Sequence, residues 1–165
     1  MTLSIKKRIY DFAINLQKFP RSLMGKGNRQ TLSSIKKILT NLKILAVPSG
    51  YKAYDWIVPE EWNFKNAYVL NSKGKKIIDV KKNILHLVNY SIPVKKKISL
   101  NELQRHIYSL PKLPNAIPYV TSYYKKNWGF CITHNQRKKL KKGFYKVLID
   151  ASFIKGKMDY GEYYI

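Results

Sequence analysis

Acidic side chains are scarce in this chain. Nine Asp and Glu stand against 32 Lys and Arg among 165 residues, a formal net charge of +23. Cysteine is nearly absent: Cys131 stands alone, which excludes an internal disulfide and any zinc site built on cysteine spacing. A reducing cytoplasm is the location expected for such a chain. No apolar run approaches the ~20 residues that a membrane-spanning helix needs. The first stretch, MTLSIKKRIYDFAINLQKF, is broken by charge and followed by no small-residue cleavage site, so it reads as amphipathic rather than as a signal peptide. Internal repeats and low-complexity segments are lacking too. Histidine is limited to His86, His106 and His134. These form no close-spaced pair and have no neighbouring Glu, the kind of pattern that supplies a catalytic zinc with its ligands. Asp55, Glu60, Glu61 and Glu162 could offer carboxylates, but no spacing selects them.

What is present belongs to a folding chain: 45% apolar residues and 13% aromatic ones. Basic charge interleaved with rings is the footprint of a nucleic-acid binder. Here the lysines are spread through every segment, alongside abundant Ile, Asn and Tyr, the joint bias of an AT-rich genome at tolerant surface positions. Clusters such as Lys95 to Lys97, Lys125 with Lys126, and Arg137 to Lys142 are short. Non-specific polyanion binding at low salt follows from the charge, and no specific nucleic-acid partner is expected.

In chain order, Ile5, Ile9, Phe12, Ala13 and Leu16 fall on one helical stripe that should end near Phe19-Pro20. RSLMGKGN follows as a loop whose glycines lack the spacing of a phosphate cradle. Asn28 can cap a second helix with Leu32, Ile35, Ile38, Leu39 and Leu42 on its inner face. From Pro48-Ser49-Gly50 onward the texture turns to strands. They are expected at 44–47, 54–58, 67–70, 76–80, 85–92, 117–124, 129–132, 143–154 and 160–165, with EEWN as a turn and NSKGK as a hairpin loop. Two capping boxes, Ser99 with Glu102 and Thr133 with Gln136, open short helices, the first carrying Leu100, Leu103, Ile107 and Leu110 and stopping at Pro111. The fold class expected is α+β: two amphipathic helices, then a β-rich module with two short helices.

Residues 121–140, TSYYKKNWGFCITHNQRKKL, concentrate rings, the lone cysteine and a histidine. A Cys131–His134 nucleophile pair would need hydrogen-bond reach and a third, orienting group. With His134 first in a helix and Cys131 ending a strand, the two need not converge, so no catalytic residue is assigned. The rings Trp56, Trp62, Tyr123, Tyr124 and Trp128 could make a stacking surface for sugar or peptide, or fill the β core. Trp56, Tyr123, Tyr124, Trp128 and His134 are the candidate binding residues.

Several stretches, in order, carry a family resemblance: RSLMGKGNRQTL, VPSGYKAYDWIVPEEWN, AYVLNSKGKKIIDV, LHLVNYSIPV, LPNAIPYVTSYYKKNWGFCITHNQ and DYGEYYI. Together they resemble the N-terminal part of a bacterial aminopeptidase-like family, polysaccharide biosynthesis proteins with an aminopeptidase-like domain. The resemblance implies a zinc exopeptidase-like α/β fold interrupted by an inserted β-rich domain of unknown function. It divides the chain into a helical segment of the aminopeptidase-like domain (1–49), the insert (50–152) and the start of a return strand (153–165). It also implies that the zinc-binding His-x-Cys-His-Pro stretch comes beyond GEYY, so no metal ligand falls within this chain. The implied function is a fragment of an aminopeptidase-like protein, not catalytic alone, whose full-length form binds zinc and acts on peptide or amide-bearing sugar. The alternatives are a carbohydrate- or peptide-binding module and a basic nucleic-acid binder.

The helical stripes would normally pack on a sheet, and the last strand leaves an open edge. We expect self-association, seen by analytical ultracentrifugation as mass above the monomer at micromolar concentration. A clean monomer with both helices protected from hydrogen exchange contradicts this.

Overall fold

The computed structural model describes residues 4–165; residues 1–3, the start of the amphipathic N-terminus, lie outside the described residues. The first elements are α1 (Ile5–Leu16), α2 (Lys26–Lys36), β1 (Lys43–Pro48), β2 (Lys52–Ala53), β3 (Trp56–Ile57), β4 (Glu61–Leu70) and β5 (Lys76–Asp79). After a 3-10 turn (Ile84–His86) come β6 (Val94–Ser99), α3 (Leu100–Arg105), β7 (Ile107–Tyr108), β8 (Phe130–Cys131), α4 (His134–Lys138), β9 (Phe144–Ile154) and β10 (Lys157–Glu162). The chain is therefore mixed α+β. It divides into two compact units, one running to Trp62 and resuming at Phe153–Ile165, the other Asn63–Ser152.

In the first unit, Ser4 caps α1 by accepting from the Lys7 amide. The helix ends ahead of Pro20, and none of its residues is buried. Asn28 does not cap α2: Gly25 does, at φ 109°. The Asn28 amide instead donates to the Asp159 carbonyl at 2.8 Å. Leu32 lies on the inner face as its spacing predicts, for a Cβ added at Gly161 would sit 3.3 Å from it. Ile38 is exposed, because α2 ends at Lys36 and the periodicity does not carry past it. β10 pairs antiparallel with β1, from Lys43↔Glu162 to Pro48↔Lys157. β2 and β3 form a small hairpin around Tyr54 at φ 55°, where one continuous strand was expected.

Glu61 organises this unit. Its carboxylate is buried and accepts both arms of the Arg29 guanidinium, at 2.9 and 3.0 Å. Gly25 and Gly156 leave room for it: added Cβ atoms would lie 3.5 Å from Oε1 and 2.7 Å from Oε2. Arg29 also reaches Asp159 at 3.4 Å. EEWN is thus not a turn. Its polarity masked the start of a ten-residue strand, since a paired charge can occupy a buried position that an unpaired one cannot.

In the second unit β5-β4-β9-β6 form one sheet. The β4–β5 hairpin closes as NSKGK predicts: the Asn71 side chain accepts from the Lys73 and Lys75 amides, and Gly74 takes φ 75°. β9 buries Tyr145, Val147 and Ile149 in alternation. β6 buries Val94 and Ile98 with Lys95 to Lys97 exposed between them, so the strand was hidden inside a charge cluster. Residues 85–92 are not a strand. The Leu85 amide donates to the Asn83 side chain, Ser91 Oγ donates to the Val88 carbonyl at 2.6 Å, and Tyr90 takes φ 63°. Nor do residues 117–124 form one: a single isolated bridge, Asn89↔Thr121, touches them. α3 stops at Arg105 rather than Pro111, because Ile107 and Tyr108 pair in parallel with Phe130 and Cys131. Non-local pairing overrides helical spacing there.

Gly156→Ala should lower stability by ~1–3 kcal/mol, since its Cβ would overlap the Glu61 side chain. Arg29→Ala should cost about the same. Its side chain is 44% exposed, which holds the loss below that of a fully buried pair. Urea denaturation reads both, and unchanged midpoints would overturn this account.

Candidate functional site

The second unit contains an irregular connection held at both ends. The Asn89 amide donates to the Val120 carbonyl and the Asn89 carbonyl accepts from the amide and hydroxyl of Ser122. Three residues on, the Ile92 amide donates to the Asn127 carbonyl, and Ser91 bridges to Asn127. Tyr90, left-handed and buried, separates these two attachments. Residues 123–126 form a turn between them, with the Lys125 amide bonded to the Ser122 carbonyl.

Four tyrosines gather on this connection. Tyr123 meets Tyr90 edge-on at 5.9 Å and lies 4.1 Å from Tyr124 at a 40° tilt. Tyr124 is 75% exposed and Tyr119 is 62% exposed. The Asn89 side chain donates through Nδ2 to the Tyr119 hydroxyl at 3.1 Å. A hydrogen bond with Tyr124, then burial and the nearby Tyr124 and Tyr119 phenols, raise the Tyr123 pKa. Lys125 and Lys126 follow, both exposed.

Of the candidate residues, the structure brings Tyr123 and Tyr124 together and places the others elsewhere. Trp128 is only 6% exposed. Its ring stacks on His106 at 3.6 Å, and the Trp128 carbonyl accepts from His106 Nδ1 at 3.0 Å. Gly129 permits this packing: a Cβ there would sit 2.7 Å from the Tyr108 ring. Trp56 is half-buried on β3 of the first unit, and Trp62 is buried. His134 opens α4 behind the Thr133 cap. The Gln136 side chain does not close the box but donates to the Ile77 carbonyl at 2.7 Å. Tyr119 and Asn89 were missed, because nothing local in LPNAIPYV or LVNY signals that the two segments meet.

His134 Nδ1 lies 3.1 Å from Ser109 Oγ. The other neighbour of Ser109 is the Arg137 guanidinium at 3.4 Å, itself fixed to the Gln104 side chain and carbonyl. A guanidinium opposes the imidazolium that a general base becomes, so this trio reads as a brace between α3 and α4. Cys131 is fully buried, and burial pushes its thiol up to about 12, against a backbone hydrogen bond at Val120 that lowers it. A thiol so held is not a nucleophile at neutral pH.

His86 and His106 each donate through Nδ1 to a backbone carbonyl, of Cys131 and Trp128, and His134 is engaged with Ser109. Among the described residues no three His, Cys, Asp or Glu gather as a metal would require. Among them too, no helix is long and apolar enough to cross a membrane.

Fold and surface define an α+β chain whose second unit is a β module faced with tyrosine. The profile of a family described as a domain of unknown function (DUF2172) matches residues 61–152, and the chain belongs to that family. It is also 48% identical, over 157 residues, to a Clostridium acetobutylicum protein provisionally named a polysaccharide biosynthesis protein with aminopeptidase-like domain. That alignment covers 95% of this chain and 36% of the relative. A crystal structure from the same organism, of a chain provisionally designated a peptidase, matches with a TM-score of 0.88 at 47% identity. It covers 96% of this chain and 37% of that one. The chain thus spans little more than a third of the length of the relatives it matches.

Cys131 should resist a disulfide reagent in the native protein at pH 8 and react at once in denaturant, as absorbance of the released thiolate would record. Rapid native labelling would contradict the burial.

Proposed function

We propose that this chain is the scaffold and accessory portion of an aminopeptidase-like, zinc exopeptidase-related protein, and that alone it hydrolyses nothing. One observation carries the reading: the first unit has apolar residues that stay exposed among the described residues. Ile5 and Ile9 are 72% and 65% exposed, although they share a stripe with Phe12 and Leu16. β1 has no buried residue, and Ile44, Leu45 and Tyr160 stand out on the two-stranded β1–β10 ribbon. Such elements ordinarily form one layer of a larger fold. The length and names of the relatives support assigning that layer to an aminopeptidase-like domain.

In this reading the helical segment 1–49 and residues 153–165 belong to the aminopeptidase-like domain, and 50–152 is its insert. The zinc ligands belong to the rest of the full-length protein. Its substrate would be a peptide or an amide-bearing sugar, its location the cytoplasm, and this portion alone would self-associate through the uncovered faces. A second reading, that the inserted unit is a carbohydrate- or peptide-binding module, is favoured by the exposed Tyr119 and Tyr124 rings.

Purified chain incubated with aminoacyl-nitroanilides should release no nitroaniline with or without added zinc. Zinc-stimulated turnover that co-purifies with the chain would overturn the proposal.

A further inference from the structure

Large rings left in water need a reason when they are also held in place. Tyr124 is the outer member of a set whose inner members, Tyr123 and Tyr90, are packed edge to face, and Tyr119 is held beside it by the Asn89 side chain. The backbone beneath is pinned at Asn89 and again at Ser91 and Asn127. Between those pins Tyr90 keeps a left-handed backbone conformation, which for a non-glycine residue costs about 1 kcal/mol or more. Rigidity of this kind lowers the ordering cost of binding. Tyrosine adds a π face with negative potential, ringed by a hydroxyl that both donates and accepts. A pyranose matches both features. Its axial C–H groups lie against the ring face, and its equatorial hydroxyls reach outward to phenols and amides.

Charge narrows the ligand further. Between Val80 and Ile149 the sequence has fifteen Lys and Arg and one acid, Glu102. Two of those lysines, Lys125 and Lys126, are exposed immediately after Tyr124. A neutral sugar would leave them unused, whereas a carboxylate or phosphate on the sugar would pair with them. Single-stranded nucleic acid also combines stacking with negative charge. It is less suited here, because Tyr123 already covers one face of Tyr124 at 4.1 Å. One open face remains on that ring, not the run of parallel faces that successive bases require.

We propose that the surface formed by Tyr119, Tyr123 and Tyr124, edged by Lys125 and Lys126, binds an acidic carbohydrate by stacking one pyranose ring on Tyr124. This rests on the second reading above, that the inserted unit is a binding module. It is independent of the first: peptidase turnover by the chain would leave it standing.

The test is a titration of the full chain at about 0.15 M salt, near physiological screening, followed by amide and aromatic NMR shifts. The probes are hexagalacturonate, maltohexaose and a single-stranded hexanucleotide. Hexagalacturonate should shift Tyr119, Tyr123 and Tyr124 resonances and bind more tightly than maltohexaose. Tyr124→Ala should weaken it by roughly tenfold, the scale of one lost aromatic contact. Lys125→Ala with Lys126→Ala should weaken it severalfold and flatten its salt dependence. Tyr51→Ala, an exposed tyrosine of the other unit, should change nothing. Unchanged melting of the Tyr124 variant keeps the comparison clean. Absence of binding, binding indifferent to Tyr124, or tighter hexanucleotide binding with the same tyrosine dependence would each overturn the proposal.

Discussion

A buried carboxylate in a chain so short of acid is the constraint on which the first unit depends. Glu61 sits where α2 begins, where the ribbon strand β10 begins, and where β4 begins. Those three starts are 26, 157 and 61 in the sequence, and they meet because the glycines just before the first two, Gly25 and Gly156, leave space for one side chain. The forked Arg29 guanidinium then fixes the carboxylate in two directions, a geometry that lysine could not reproduce. Positive φ is needed at Gly25 but not at Gly156. The second glycine is there for proximity alone. With 32 basic residues available, finding a cation for Glu61 is easy. Holding one in register is what α2 contributes, through Asn28 on the Asp159 carbonyl and Arg29 on both acids.

The second unit is organised by apolar alternation instead. β4 buries Ala67 and Val69, β5 buries Ile78, β6 buries Val94 and Ile98, and β9 buries Tyr145, Val147 and Ile149. Nothing ionic is needed to set that register, since a one-residue slip would turn each of these side chains to water. The lysines between them fall on the exposed positions. That is why a unit with so large an excess of positive charge can still close a core: the charges repel along the surface, where water screens them.

Legibility in the sequence followed the range of the interaction. α1, the β4–β5 loop, β9 and the Ser99 cap could be read from residues within a few positions of one another, and they stand where those residues place them. What could not be read depended on a distant partner. The polar start of β4 needed Arg29. The end of α3 needed Phe130, whose pairing draws Ile107 out of the helical pattern. The irregular path of 87–92 needed Val120, Ser122 and Asn127, which supply the hydrogen bonds a strand neighbour would have given. The candidate residues divided along the same line. Tyr123 and Tyr124 are adjacent and met as adjacent rings meet. Trp128 went inside because Gly129 and His106 open a slot that is invisible from TSYYKKNWGFC alone.

Each unit leaves apolar surface of two kinds exposed: the first exposes Tyr51 and Tyr54 beside its aliphatic residues, and the second exposes Leu85, Leu110, Leu113 and Phe144 beside its tyrosines. In the first, aliphatic side chains with no polar tip, Ile5, Ile9, Ile44 and Leu45, stand in water on regular elements. Aliphatic surface gains nothing from solvent and is best removed by burial against more protein. In the second, the exposed rings Tyr119 and Tyr124 are phenols on an irregular segment, and each keeps a hydroxyl engaged, with Asn89 and with Tyr123. Phenols tolerate water and suit a partner that is itself half polar and that comes and goes.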